Sequence, residues 1–114
     1  MEYELKIRTF IDVTTKSKAI KFSERLFSGL TPIVKGKSWS DEKLWEVTCH
    51  KIFRYKDDHE ALFETMKYFY KIEQKWLING PQEEGNKALV SGVFSTESDQ
   101  ILKWCNYKLL RNQS

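Results

Sequence analysis

The sequence predicts an α+β fold: a ferredoxin-like βαββαβ sandwich extended by a C-terminal strand and helix, its antiparallel-rich sheet carrying the helices on one face. Three observations lead there. Residues 3–13 and 44–54 alternate polar and apolar side chains with the period of half-buried strands. Residues 16–28 and 57–72 space their apolar side chains as amphipathic helices do. Turn and cap residues separate these segments at short intervals, without a repeat, low-complexity tract or Pro/Ser-rich linker, so residues 1–114 read as a single domain.

The first strand sets Tyr3, Leu5, Ile7 and Thr9 against Glu4, Lys6 and Arg8; its phase blurs at Phe10–Ile11, at a bulge or where both faces become covered. Thr14 and Thr15 are N-cap residues for a helix that Gly29 ends. Ala19, Ile20, Phe22, Ser23, Leu26 and Phe27 fall on one side of it, and Lys18, Lys21 and Arg25 gather opposite. Residues 32–39 and 44–54 form a hairpin around the polar turn Ser40-Asp41-Glu42-Lys43. Asp57, with Glu60 in capping-box spacing, opens a second helix that runs to about Ile72. A short strand at 75–79 stops at Gly80-Pro81, and the acidic loop Gln82–Asn86 leads to a strand at 87–95. Thr96 with Asp99 makes a second capping box, which predicts a final helix to about Leu110.

Composition narrows the function classes. Forty per cent hydrophobic and 14% aromatic residues in 114 supply a core and argue against disorder. The net charge of +3 is well short of the basic footprint of a dedicated nucleic-acid binder. It is uneven, with eight Lys/Arg and four Asp/Glu in residues 1–37. The start MEYELKIRTF lacks the pattern of a secretory signal, and no stretch approaches the roughly 18 apolar residues of a membrane span. Two cysteines make no disulfide framework, so a cytoplasmic protein with reduced thiols is expected.

The stretch SWSDEKLWEVTCHKI comes closest to a chemical motif. Strand alternation puts Trp45, Val47 and Cys49 on one face and Glu46, Thr48 and His50 on the other, so Cys49 points inward and His50 outward. Neighbours that diverge do not share a metal, and no CxxC or HxxxH spacing joins the two His and two Cys; no metal or cofactor is expected. His59, beside Asp57 and Asp58, could be half of an acid–base pair, but a capped helix with a solvated imidazole accounts for the same residues. No GxSxG, P-loop or GxGxxG occurs, and a non-enzymatic protein is expected.

The second helix has a wider apolar arc than one sheet contact needs. Ala61, Leu62, Thr65, Met66, Phe69 and Ile72 form an inner stripe, and Phe63 and Tyr70 lie about 100° further round. Either the terminal helix, with Ile101, Leu102, Trp104, Cys105 and Leu109, covers this flank, or a protein partner does. Tyr107 and Leu110 fall off the terminal stripe and would add to such a surface.

In size and element order the chain resembles the small immunity proteins of bacterial polymorphic-toxin and contact-dependent growth inhibition systems. The resemblance rests on YELKIRTFIDVTTKSKAIKF, the Trp-bearing hairpin, KWLINGP and ILKWCNYKLL, and is one of style over the whole chain. It implies a toxin domain as partner, blocked at its active site or partner-binding surface. Immunity proteins facing cationic nucleases tend to be acidic, whereas this chain is slightly basic. Either the toxin is no basic nuclease, or contact runs through local acidic patches such as Asp57/Asp58/Glu60 and Glu83/Glu84. The candidate protein-binding residues are therefore Asp57, Asp58, Glu60, Phe63, Tyr70, Glu83, Glu84 and Tyr107. Two alternatives stand beside this one: a nucleic-acid-binding module using Lys18, Lys21 and Arg25, and a small ferredoxin-like enzyme or ligand carrier. RNA binding by the sheet itself would need exposed aromatics on central strands, and the nearest match to the usual motif, Ser91-Gly92-Val93-Phe94-Ser95, is poor.

Overall fold

A computed structural model describes residues 1–39, 41–80, 88–98 and 100–112. The elements are β1 (Glu2–Asp12), α1 (Lys16–Leu26), β2 (Pro32–Lys37), β3 (Leu44–Arg54), α2 (Asp58–Ile72), β4 (Leu77–Asn79), β5 (Ala88–Ser95) and β6 (Leu102–Arg111). The fold is α+β. One antiparallel sheet in the order β2-β3-β1-β6-β5-β4 carries both helices on one face.

The caps act as the sequence predicts at both helix starts. Thr15 accepts from the Lys18 amide at 3.2 Å, and Asp57 accepts from the Glu60 amide at 2.9 Å. Glu60 reaches back one residue beyond the cap, to the Lys56 amide at 3.1 Å. Beyond α1 the chain reverses through Gly29, whose φ of 85° is readily reached only by glycine. The irregularity at Phe10–Ile11 is a bulge: Phe10 pairs with Trp104 and Ile11 with Leu102, leaving Lys103 as the extra residue.

The predicted terminal helix is strand β6. Cys105, Asn106, Tyr107, Lys108 and Leu109 alternate strictly between buried and wetter positions, which is strand periodicity, whereas the helical stripe had to leave out Tyr107. Thr96, which looked like the N-cap of a capping box, belongs to the β5–β6 hairpin turn. The Thr96 hydroxyl accepts from the Ser98 amide at 3.1 Å, and the Thr96 amide donates to the Lys103 carbonyl. Hydroxyl side chains close turns by the same local bonds with which they cap helices. Asp99 and Ser40 lie outside the described residues.

This change rearranges the sheet. The strand following α2, β4, sits at the far edge, and β6 takes the place beside β1. The result has an approximate two-fold relation. The run α1-β2-β3 leads inward to β1, and α2-β4-β5 leads inward to β6, so a half-turn about an axis between β1 and β6 exchanges the halves with the correct strand directions.

The helix-covered face holds the core: Tyr3, Leu5, Ile7 and Ile11 of β1, Val47 and Cys49 of β3, and Cys105, Tyr107 and Leu109 of β6. Under α2 the rings pack closely. Phe69 and Tyr107 stack at 3.8 Å with 4° between planes, and Trp76 meets both edge-on. Gly92 makes room for that stack, since a Cβ there would lie 2.7 Å from the Tyr107 Cζ. Asp58 anchors the start of α2 to the sheet, accepting from the Tyr3 hydroxyl at 2.6 Å and from Arg111 at 3.0 Å.

Candidate functional site

With β6 inside the sheet, no helix among the described residues covers the flank of α2. Ala61, Thr65 and Phe69 are buried against the sheet and Leu62, Tyr68 and Ile72 are half-buried, which satisfies the inward contact. Phe63 and Tyr70 remain 63% exposed each, and Met66, expected on the inner stripe, is exposed as well. Together with His59, Leu62 and Lys67 they line a shallow apolar trough along the outer side of the helix. Lys67 is fixed there by Glu64 at 3.2 Å and lies over the Phe63 ring at 5.2 Å, so its charge stays at the rim.

The other proposed contact residues separate. Asp57 is committed to its cap and Asp58 to Tyr3 and Arg111; the Tyr3 hydroxyl, ahead of Arg111, holds the Asp58 carboxyl below its ordinary range. Glu60 is exposed at the same end of the trough. Tyr107, expected on the surface, is fully buried: as a strand residue it points into the core, and burial pushes its phenol up to about 12. Leu110 is half-buried on the opposite face of β6. Glu83 and Glu84 lie outside the described residues. Lys18, Lys21 and Arg25 are exposed along α1, where Lys18 bonds the Thr14 hydroxyl.

The chemical candidates do not converge. Cys49 is buried beneath the helices, where burial raises its thiol to about 11, while His50 lies on the opposite face of the sheet. Asp58, the carboxylate next to His59, is turned away to Tyr3 and Arg111. Among the described residues no three His, Cys, Asp or Glu side chains group as a metal site, and no helix is long and apolar enough to cross a membrane. A groove of about 400 Å³ does open between α2 and the turn that follows α1, lined by Leu5, Leu30, Phe53, Tyr55 and Tyr68. Its polar rim is largely engaged with the chain itself: Lys51 bonds the Gly29 carbonyl, Tyr68 the Ser28 carbonyl, and Lys67 pairs with Glu64.

One constellation on the uncovered sheet face went unread. Glu4, Lys6, Arg8 and Phe10 of β1 stand beside Glu46, Thr48 and His50 of β3 and Trp104, Asn106 and Lys108 of β6. Each polar residue looks like the wet side of its own strand. Only the register, which sequence periodicity does not supply, brings them side by side.

Compared with family models, curated proteins and solved structures, the chain matches none.

Proposed function

We propose that this chain is a non-enzymatic protein-binding protein, a bacterial immunity protein that neutralises a toxin domain by covering its active site or partner-binding surface. The observation that supports this best is the outer flank of α2, where Phe63, Met66 and Tyr70 stay in water although the fold is complete beneath them. Fully burying a side chain of this size is worth about 1.5–3 kcal/mol, and much of that is left unrealised at Phe63 and Tyr70, each 63% exposed. Large aromatic side chains that can be buried by a partner are what interface centres are made of. Glu60 at one end of the trough and the Glu64–Lys67 pair along it suit a partner with an apolar centre and basic groups toward the start of α2. In this reading the protein works in the cytoplasm, with both buried thiols reduced.

The test is neutralisation. Candidate toxin domains, beginning with any encoded beside this chain, are expressed in a sensitive bacterium with this chain or with its Phe63→Asp/Tyr70→Asp variant. The wild type restores growth and the variant does not. A wild type that neither binds nor protects, or a variant that protects equally well, removes the proposal.

A further inference from the structure

We infer that the uncovered face of the sheet is a second binding site, for single-stranded nucleic acid, with phosphates over Lys6, Lys108 and Arg8 and bases against the Phe10–Trp104 ring pair. The site lies on the opposite side of the sheet from α2, and nothing in it depends on the function proposed for that helix.

The ladder supplies the first reason. His50 of β3, Lys6 of β1 and Lys108 of β6 stand directly opposite one another across three adjacent central strands. Lys6 and Lys108 carry like charges, and like charges placed opposite each other destabilise a sheet, so an antiparallel pair ordinarily avoids them. A pairing rule broken at the middle of an open face marks a place where something other than stability is served. The next row continues the pattern with Thr48, Arg8 and Asn106. These six side chains line a depression of about 360 Å³, and among the described residues no carboxylate lines it. The acidic residues sit just outside it. Glu4 takes Lys6 and His50 at 3.2 Å each, and Glu46 takes Arg8 at 2.8 Å. The carboxylates hold the cations in place, and an incoming phosphate exchanges with Glu4.

The aromatic pair is the second reason. One row beyond Arg8, Phe10 and Trp104 face each other at 5.3 Å, half-buried on the open side, and the Arg8 guanidinium lies within 5.2 and 5.9 Å of the two ring centres. Successive rows on one face of a strand are about 7 Å apart. The ring pair therefore stands about two rows from Lys6 and Lys108, with Arg8 between them. An extended polynucleotide presents this alternation of phosphate and flat base. A duplex hides its base faces from the rings, and a small ligand is ordinarily enclosed far more fully than an open sheet allows.

Fluorescence anisotropy of the full chain with labelled DNA and RNA strands of about 12 nucleotides tests this at about 20 mM salt. Binding is expected to weaken with salt at a log–log slope of about −2, the value for three neutralised phosphates on a single strand. Lys6→Ala/Lys108→Ala lowers affinity at least about tenfold and shallows the slope, while Trp104→Leu lowers affinity with the slope kept. Glu4→Gln tightens binding. Lys18→Ala/Lys21→Ala on α1 changes nothing. Lys6 and Lys108 are exposed, so their double variant folds even if Trp104→Leu does not. No binding by the wild type, equal loss in the α1 variant, or equal competition by inorganic phosphate or by duplex overturns the inference.

Discussion

Tyr107→Phe is expected to stabilise this protein. The ring is fully buried between Phe69, Trp76 and the backbone of Gly92, and its hydroxyl has no hydrogen-bond partner among the described residues. In the unfolded chain that hydroxyl is hydrated; folding strips the water and no described residue replaces it, a loss of about 1–3 kcal/mol for an unpaired buried polar group. Phenylalanine keeps the stack and removes the loss, minus the few dispersion contacts of one oxygen. A net gain of about 1 kcal/mol follows, near 4 °C in Tm for a domain of this size. The effect should grow with alkali. Burial raises the phenol from 10 to about 12, so the folded state favours the protonated form. Stability from that preference is complete below pH 10 and is lost as pH rises through the folded value. Two pH units correspond to about 3 kcal/mol. The variant therefore keeps more of its stability than the wild type between pH 10 and 12. Urea titrations followed by tryptophan emission read both effects, because Trp76 touches the altered ring. A loss of more than about 1 kcal/mol at neutral pH would show that the hydroxyl is bonded and that the account of this core is wrong.

Three further outcomes follow from the same structure. Gly92→Ala drives a methyl group into the Tyr107 ring and should lose about 1–3 kcal/mol in the same urea assay; an unchanged midpoint contradicts the packing described. The Asp58 carboxyl is held low chiefly by the Tyr3 hydroxyl, so its contribution is complete above its unfolded value near 3.8 and disappears as pH falls through the lower folded value. Asp58→Asn should thus destabilise at pH 7 and flatten the acid limb of the stability curve, and parallel acid limbs would count against the Tyr3–Asp58–Arg111 anchor. Cys49 and Cys105 are buried with raised thiols and should resist a thiol reagent at pH 8 until urea unfolds the chain; rapid labelling of Cys105 in native protein would contradict the strand assignment of residues 102–111.

The elements whose local chemistry and tertiary role agree were legible from the residues. Tyr3-Leu5-Ile7-Thr9 and Trp45-Val47-Cys49 alternate as half-buried strands do, and Thr15 and Asp57 cap the helices they appear to cap. The stretch 96–110 misled because hydroxyl and carboxylate residues serve turns and caps alike, and because a short run of Leu, Trp, Cys and Tyr fits both periods. One misassigned element then displaced the topology, since only a sixth strand can fill the place beside β1 and send β4 to the edge. It also altered the candidate surface in both directions: Tyr107 left it for the core, and Phe63 and Tyr70 lost the terminal helix as one of their two possible covers. The row His50–Lys6–Lys108 was invisible for another reason. Its members are 44 and 102 residues from Lys6 along the chain, and strand register is a property of the assembled sheet.

The most direct test of the central claim is a parallel measurement on Phe63→Asp/Tyr70→Asp, combining urea unfolding with calorimetric titration against a toxin domain that the wild type binds. If these rings face solvent in the free protein and a partner in the complex, unfolding stability stays within about 0.5 kcal/mol of wild type while affinity falls by at least about 2 kcal/mol. A variant that loses stability but keeps its affinity would place the rings in the fold and leave the proposed surface without a function.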